Sequence, residues 1–209
     1  MRRAAALARP AEDLTRCGVP AVIWLPGGDC DRLARMFPSA FQTRRLVLRP
    51  IAPADAGPIF DGYAQDEEVS RYLTWRPHAT IADTDAYVRA CLAATAARTY
   101  VLVRPSDQRV IGAFDLRQPA AAQLSYGYVL MRSCWGDGMM TEVLTHVVDW
   151  ALRQPGIWRI GGVCDVENPA SARVTEKAGL QREGILRRWI VHPNLGSAPR
   201  DCFTYAKVR

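Results

Sequence analysis

The chain has 209 residues, 49% of them hydrophobic and 23% charged, a composition that supports a packed core and excludes disorder throughout. No apolar run approaches the roughly 20 residues that a membrane helix needs. The formal net charge of +6 comes almost wholly from arginine, and much of it lies in the first 45 residues, so we expect neither nucleic acid nor a membrane as a partner.

The cysteines are scattered along the chain, without a C-x-x-C pair and without grouping beside a histidine. They are Cys17, Cys30, Cys91, Cys134, Cys164 and Cys202. This pattern predicts neither a metal site nor a disulfide framework. The Arg-rich start contains Glu12 and Asp13 and lacks an apolar segment, which argues against a signal peptide. We therefore expect free thiols in a reducing, cytoplasmic compartment.

The N-terminal segment, residues 1–42, has little periodicity and several prolines and glycines, which predicts an extension before a domain over 43–209. Its apolar stretch 22–25 favours docking on the domain surface or on a second subunit. The alternative is a start assigned too far upstream, which would leave a disordered tail. On the first interpretation the sheet begins at Leu46.

The rest of the chain alternates between strand and helix patterns. In chain order these predict a strand over 46–51, helices over 54–65 and 81–97, strands over 99–104, 110–117 and 123–131, a helix over 139–154, a strand over 158–166, a helix from Asn168 that ends at Gly179, and strands over 181–191 and 201–208. Thr80 and Asp83 have the spacing of a capping box. This order of elements is typical of a mixed α/β sheet.

A glycine turn, Gly136-Asp137-Gly138, stands between a predicted strand and an amphipathic helix. Glycines there let a ligand approach the backbone, and the free N–H groups and dipole of a helix start attract phosphate. The spacing alone is weak evidence, because Thr141 replaces the third small residue of a dinucleotide fingerprint and no Walker lysine follows. A plain turn between two elements is the alternative interpretation.

A second motif, Glu167-Asn168-Pro-Ala-Ser171, opens a helix about thirty residues later. The chain also contains Thr-Arg-Arg-Leu-Val-Leu-Arg-Pro from residue 43, Val-Ile-Gly-Ala from 110, Tyr-Gly-Tyr from 126 and Glu-Lys-Ala-Gly-Leu from 176. Together these motifs resemble the GNAT (Gcn5-related) acyl-CoA N-acyltransferase superfamily, and most of all its RimJ/RimL branch of ribosomal-protein N-terminal alanine acetyltransferases. The resemblance implies a mixed, mostly antiparallel sheet of six to seven strands flanked by about four helices.

The resemblance also implies where acetyl-CoA, the acyl donor, would bind. A bulge in the strand 126–131 would splay it from the strand 158–166, the pantetheine arm would pair with the backbone of Val129 and Met131, and an N–H near Val129 or Leu130 would polarise the thioester carbonyl. The residues placed against the cofactor are Val129, Met131, Arg132, Ser133, Gly136, Asp137, Gly138, Met139, Met140, Thr141, Asn168, Ser171, Arg173 and Lys177. Whether Arg132 or Ser133 assists the phosphates stays open.

The same resemblance makes Ser171 the donor of a proton to the departing thiolate, because Thr175 stands where many relatives have a tyrosine. Asn168 would contact the cofactor arm or a water beside it. Purely structural alternatives exist: Asn168 as a helix cap with Ser171 supporting it, and the charges of Arg173 and Lys177 as a solvated helix face.

The general base is not identified by any motif. Ser125 replaces the glutamate of many relatives, which leaves Asp115, Glu142, Glu167 and His192, or a chain of water molecules. The residues that the resemblance places around the acceptor are Tyr72, Trp75, Ser125, Trp189 and Tyr205.

The resemblance implies an N-acetyltransferase in which a primary amine attacks acetyl-CoA directly in a ternary complex, without a metal. A protein N-terminus ranks first as acceptor, with a polyamine or an antibiotic amine as alternatives. We expect a monomer or a homodimer. The rival interpretation is a non-catalytic acyl-CoA-binding or regulatory domain, and Ser125 in place of an acid favours it.

Overall fold

Eight strands form one sheet in the computed structural model, which describes residues 37–209. The strands are β1 (Phe41–Gln42), β2 (Val47–Pro50), β3 (Ala97–Arg104), β4 (Arg109–Ala120), β5 (Gln123–Leu130), β6 (Arg159–Asp165), β7 (Gln181–Ile190) and β8 (Arg200–Val208). Their order across the sheet is β1-β2-β3-β4-β5-β6-β8-β7, and β5 with β6 is the parallel pair in this otherwise antiparallel sheet. The predicted mixed, mostly antiparallel α/β class is confirmed.

The sheet begins earlier than predicted. Phe41 pairs with Leu48, so β1 precedes Leu46, where the sequence placed the first strand, and it raises the strand count to eight. Phe37 is 1% exposed, and the Tyr100 hydroxyl donates to the carbonyl oxygen of Pro38 over 2.7 Å. Phe37 and Pro38, which precede β1, are thus packed on the sheet. Residues 1–36, with the stretch 22–25 and two of the cysteines, lie outside the described part of the chain.

Within residues 37–209, five α-helices accompany the sheet. They are α1 (Ala56–Ile59), α2 (Glu67–Ser70), α3 (Ile81–Ala93), α4 (Met139–Arg153) and α5 (Pro169–Lys177). The predicted helix over 54–65 is instead a 3-10 turn, then α1, then the π-helical turn Phe60–Ala64, since two glycines and a proline in this stretch weaken a regular helix. The capping box of α3 is present, with the Thr80 N–H donating to Asp83 over 2.8 Å, but the helix ends at Ala93 because β3 begins at Ala97.

The core lies between the sheet and the apolar face of α4. The buried residues of α4 are Met140, Val143, Leu144, Val147, Val148 and Ala151, which follow the helical spacing seen in the sequence. Burial of each such aliphatic side chain stabilises the fold by about 1.5–3 kcal/mol. This packing fixes the axis of α4, and therefore also the position of its N-terminus relative to β5.

A gap opens between β5 and β6. The two strands pair at three positions, the last being Ser125 with Gly161, and then separate. The Tyr126 ring fills the beginning of the gap, since a Cβ at Gly162 would lie 2.7 Å from that ring. The predicted splay is therefore present. The predicted bulge within 126–131 is wrong, because β5 keeps a regular register with β4 there and the irregularity lies between Arg117 and Ala120.

In the described region, no helix has the length and apolar character required to cross a membrane. The cysteines in the same region are free: Cys91, Cys134, Cys164 and Cys202.

Candidate active site

A cavity of about 790 Å³ occupies the gap between β5 and β6. Its walls are the second half of β5, the end of β6, the glycine turn, the first turns of α5 and the segment 68–75. The cavity therefore joins the two motifs that the sequence singled out, one on each side of the separated strands. Among residues 37–209 no group of three potential metal ligands occurs.

The glycine turn forms one end of this cavity. Gly136 and Gly138 have φ angles of +85° and +71°, a region that side chains rarely enter, and Gly138 is the N-cap of α4. A Cβ at Gly136 would meet nothing within 4 Å, which shows that the turn is open. The N–H groups of the first turn of α4 have no helical partners. The turn and these N–H groups together form an anion seat: they offer the free donors and the helix dipole that bind anions.

Arg45 stabilises the anion seat through hydrogen bonds that no sequence motif predicted. Its backbone N–H donates to Glu142 Oε1 over 2.9 Å, its Nε donates to Oε2 over 2.7 Å, and its Nη1 donates to the carbonyl oxygen of Asp137 over 2.9 Å. Burial alone would raise the pKa of Glu142, but hydrogen bonds from Thr43 and Arg45 hold it below its ordinary value. Glu142 is thus an ionised partner of Arg45, not a free base.

The backbone of β5 presents alternate residues to the gap. The Met131 N–H donates to the carbonyl oxygen of Ile111 over 2.7 Å, so that N–H faces β4. In an antiparallel pair the backbone N–H and C=O groups of every second residue face the same neighbouring strand. Those of Val129 therefore face β4 as well, and those of Tyr128 and Leu130 face the gap. The N–H groups that face the gap are therefore those of Tyr128 and Leu130, and not those of Val129 and Met131, which were predicted to pair with the cofactor arm.

Leu130 keeps its predicted place beside the cavity. Its carbonyl oxygen accepts a hydrogen bond from Trp135 Nε1 over 2.8 Å, which ties the strand end to the residue before the glycine turn. Its N–H points into the gap, as required of a donor to a thioester carbonyl.

Asn168 and Ser171 meet at the start of α5. Asn168 Oδ1 accepts the Ser171 N–H over 3.1 Å, which makes Asn168 the N-cap, with Pro169 as the first helical residue. The Ser171 hydroxyl lies 2.9 Å from the Tyr128 hydroxyl across the cavity. Burial raises the pKa of Tyr128, and the nearby hydroxyl groups of Ser171 and Thr175 offset this in part. The phenol is therefore protonated at neutral pH.

The remaining base candidates are engaged in contacts. Asp115 accepts hydrogen bonds from Thr99 and Arg117 over 2.7 and 2.8 Å. Glu167 pairs with Arg200 over 2.7 Å, and its side chain is 66% exposed. Both residues line the cavity, but each carboxylate is already paired with an arginine.

His192 is buried beside Asp165. Its Nε2 lies 3.5 Å from Asp165 Oδ2, yet neither ring nitrogen makes a hydrogen bond or is reached by solvent. Burial lowers the pKa of His192, and Arg200 acts in the same direction. The Asp165 carboxylate and the Leu73 backbone oppose this shift without overcoming it. His192 is thus a neutral ring at pH 7 whose nitrogens are enclosed, which is unfavourable for a base that must reach a substrate.

The other predicted site residues divide into two groups. Those that line the cavity are Tyr72, Trp75, Val129, Leu130, Gly136, Gly138, Met139, Met140, Thr141, Asn168, Ser171, Arg173 and Lys177. Those that the structure places outside its wall are Ser125, Met131, Arg132, Ser133, Asp137, Trp189 and Tyr205.

The positions of three residues of the second group have a clear physical reason. Trp189 lies on the edge strand β7 and is 58% exposed, whereas Tyr205 is 1% exposed and donates to Glu176 over 3.0 Å. Ser125 is paired with Gly161 before the strands separate. Two cavity residues that the sequence did not single out are Tyr87 and Tyr128. Tyr128 belongs to the Tyr-Gly-Tyr motif, whereas no sequence motif pointed to Tyr87.

The comparisons with known proteins agree with this geometry. Residues 45–181 match the family described as Acetyltransferase (GNAT) domain. The chain is 29% identical over 179 residues to the uncharacterized N-acetyltransferase YoaA of Bacillus subtilis (strain 168), which covers 83% of this chain and 98% of that protein.

Two solved structures share the fold. The microcin C7 self-immunity acetyltransferase MccE, in complex with acetyl-CoA and AMP, superposes with a TM-score of 0.73 at 18% identity over 83% of this chain and 98% of its own. RimL, the ribosomal L7/L12 alpha-N-protein acetyltransferase in complex with coenzyme A, has a TM-score of 0.68 at 19% identity over 82% of this chain and 96% of its own. With the family match over most of the described residues, the chain belongs to the GNAT family and is an acyl-CoA-dependent N-acetyltransferase.

Proposed function

We propose that the protein transfers the acetyl group of acetyl-CoA to a primary amine by direct attack in a ternary complex. The observation that carries this proposal is the continuous cavity from the anion seat at α4 to the hydroxyl groups at the start of α5. A phosphate-bearing donor fits one end, because positive-φ glycines and free N–H groups meet there. The middle of the cavity fits an extended arm, because β5 offers unpaired backbone groups.

Bound acetyl-CoA would supply the activated thioester, and the residues of the chain would align and polarise it. The Leu130 N–H is positioned as the donor that stabilises negative charge on the acetyl oxygen. Ser171 is the proposed proton donor, and its place is set by the Asn168 cap. Because Asp115, Glu142 and Glu167 are paired with arginines, we propose that the amine binds as the free base or loses its proton through water.

A peptide N-terminus is the acceptor that we rank first, on the resemblance to the RimJ/RimL branch. The cavity wall at the other end from the anion seat includes Tyr72, Trp75 and Tyr87, flat surfaces that suit a peptide or a small organic amine. The two structural neighbours are described with different partners, AMP for MccE and ribosomal L7/L12 for RimL. We also propose that the catalytic domain begins before residue 43, because Phe41 and Gln42 form β1 and Phe37 is buried in the core, and that the predicted extension is correspondingly shorter.

The test is to incubate the purified protein with acetyl-CoA and either a peptide with N-terminal alanine or spermidine. Free thiol release and the mass of the acceptor would be measured. We expect acceptor-dependent thiol release and a product heavier by one acetyl group. Calorimetric binding of acetyl-CoA without acetylation of the peptide, spermidine or a wider amine library would instead favour the non-catalytic acyl-CoA-binding domain.

A further inference from the structure

Two hydroxyl pairs connect β5 with α5, and they differ in length. The Tyr128 hydroxyl lies 2.9 Å from the Ser171 hydroxyl, whereas the Tyr126 hydroxyl lies 3.4 Å from that of Thr175. The two tyrosine rings are stacked on one face of β5, with centroids 6.2 Å apart and planes within 4° of parallel. This stacking fixes both phenols, so each faces one particular hydroxyl of α5.

Serine alone is a poor proton donor to a thiolate. A serine hydroxyl titrates far above a thiol, whose ordinary pKa is about 8.5, so a lone Ser171 would become an alkoxide of high energy. A phenol titrates near 10, much closer to the thiolate that needs the proton. Burial raises the pKa of Tyr128 above this ordinary value, but a phenol is still far more acidic than a serine hydroxyl, and the Tyr128 phenol stands within direct hydrogen-bonding distance of Ser171.

We propose that Tyr128 is a catalytic residue that supplies the proton through Ser171. This inference rests on the proposed acetyl transfer. The nitrogen of the amine forms a bond to the acetyl carbon while the carbon–sulfur bond breaks. The sulfur then takes the proton of the Ser171 hydroxyl, and the Ser171 oxygen takes the proton of Tyr128. Tyr128 regains a proton, through water, from the nitrogen that attacked, which carries a surplus proton until the amide forms, so one proton in total passes from nitrogen to sulfur.

The surroundings of Tyr128 favour this role. Burial raises its pKa, so the phenol keeps its proton until the serine oxygen becomes basic. The phenol also lies 3.4 Å from the Ser171 carbonyl oxygen, an acceptor that holds it near the helix start when the hydroxyl of Ser171 turns away. The Thr175 hydroxyl, one turn further along the helix, contacts the Tyr126 phenol over 3.4 Å.

A second titratable group lines the cavity near Ser171. It is the Cys164 thiol on β6, whose pKa burial raises to about 11. A thiol is a weak hydrogen-bond donor, so we assign the relay to the phenol. The variant Cys164→Ala separates the two assignments, because it leaves the Tyr128–Ser171 pair in place.

The experiment compares Tyr128→Phe with Tyr126→Phe. Both variants keep the stacked ring and remove one hydroxyl, but Tyr128→Phe alone removes the partner of Ser171. We expect Tyr128→Phe to lower kcat for peptide or spermidine acetylation at least tenfold and to increase the solvent deuterium isotope effect. The Kd for acetyl-CoA should change less than threefold. Tyr126→Phe should keep kcat within about twofold, and Ser171→Ala combined with Tyr128→Phe should lose no more than the worse single variant.

Several outcomes would overturn the assignment while leaving the acetyltransferase function standing. One is an active wild type with an unaffected Tyr128→Phe variant, and another is a loss of kcat in Tyr128→Phe without a change in the isotope effect. A larger loss of kcat in Cys164→Ala than in Tyr128→Phe would assign the relay to the thiol. A wild type that binds acetyl-CoA but acetylates no amine would overturn the proposed function, and the role of Tyr128 with it.

Discussion

Arg45 and Glu142 are 97 positions apart in the chain, yet both the backbone N–H and the guanidinium of Arg45 donate to the same carboxylate. The guanidinium reaches further, to the carbonyl oxygen of Asp137 inside the glycine turn. Its Nη2 lies 3.9 Å from the position of a Cβ on Gly138, so its charge stands beside the anion seat. Arg45 therefore supports the seat in two ways, through geometry and through charge.

Replacement of this arginine should weaken binding of acetyl-CoA. We expect Arg45→Ala to raise the Kd for acetyl-CoA by about five- to tenfold. A lost charged hydrogen bond is worth about 1.5–3 kcal/mol, and only part of that free energy stabilises the glycine turn. Arg45→Lys keeps the charge but not the two-point contact with Glu142, and should recover only part of the affinity. Calorimetry at low and moderate salt would measure both variants. An unchanged Kd for Arg45→Ala would show that the brace has no influence on the seat.

A side chain at Gly138 should harm binding more than it harms the fold. Gly138 and Gly156 both have positive φ, +71° and +78°, at opposite ends of α4, and Ala at either position costs about 1–2 kcal/mol of backbone strain. We expect Gly138→Ala to weaken acetyl-CoA binding at least tenfold, and Gly138→Val to weaken it further. Gly156→Ala is the matched control for strain, and it should bind acetyl-CoA normally. Equal affinities for the two alanine variants would remove the glycine turn from the binding site.

Loss of the Ser171 hydroxyl should affect turnover rather than binding or stability. The cap of α5 uses the backbone N–H of Ser171, which alanine keeps, and the Tyr128 hydroxyl keeps the carbonyl oxygen of residue 171 as an acceptor, so the midpoint of thermal unfolding should fall only slightly. We expect Ser171→Ala to lower kcat by about 100-fold, the lower end of the range for general acid catalysis, with a small change in the Kd for acetyl-CoA. Ser106→Ala, on an exposed turn, is the control. Parallel losses in kcat and affinity would make Ser171 a structural residue.

The stability of the fold should fall as the solution is acidified below pH 6.5. Burial lowers the pKa of His192 in the folded state, so between the two pKa values the unfolded chain binds a proton that the folded chain does not. The associated stability is complete above about pH 6.5 and is lost as the pH falls through the folded pKa. The groups that face the ring are Asp165, Arg200 and Tyr72.

Urea unfolding at pH 7.5 and 5.5 would measure this effect. We expect the wild type to lose more stability between the two values than His192→Gln, because glutamine does not titrate. His78, whose pKa burial also lowers, would account for the remaining dependence, and His78→Gln tests that part. The same pH dependence in wild type and His192→Gln would contradict the prediction.

Two truncations locate the start of the domain. Removal of residues 1–36 should preserve acetyl-CoA binding, because the described sheet and cavity are built from residue 37 onwards. Removal of residues 1–40 also takes away Phe37 and the carbonyl of Pro38, and loss of a buried phenylalanine costs about 3–5 kcal/mol. Thermal unfolding would compare the two. Failure of the shorter truncation to fold would place part of the core before residue 37.

The sequence by itself determined the local features of this protein. The helical spacing of α4, the glycine turn, the Asn168 cap and the capping box at Thr80 all depend on residues within a few positions of one another. Such patterns follow from backbone geometry, so they are readable before folding is considered. The separation of β5 from β6 was also expected, although only through the resemblance to a family.

Only the tertiary structure decided which groups are free and which are occupied. The Met131 N–H is hydrogen-bonded to β4. Because backbone groups alternate in direction along β5, the N–H groups of Tyr128 and Leu130 face the gap instead of the predicted ones. Arg45 forms an ion pair with the Glu142 carboxylate, and both ring nitrogens of His192 are buried. These contacts join residues far apart in the chain, and their existence depends on strand order, register and burial. No local pattern encodes those quantities, since they arise only when distant segments pack together.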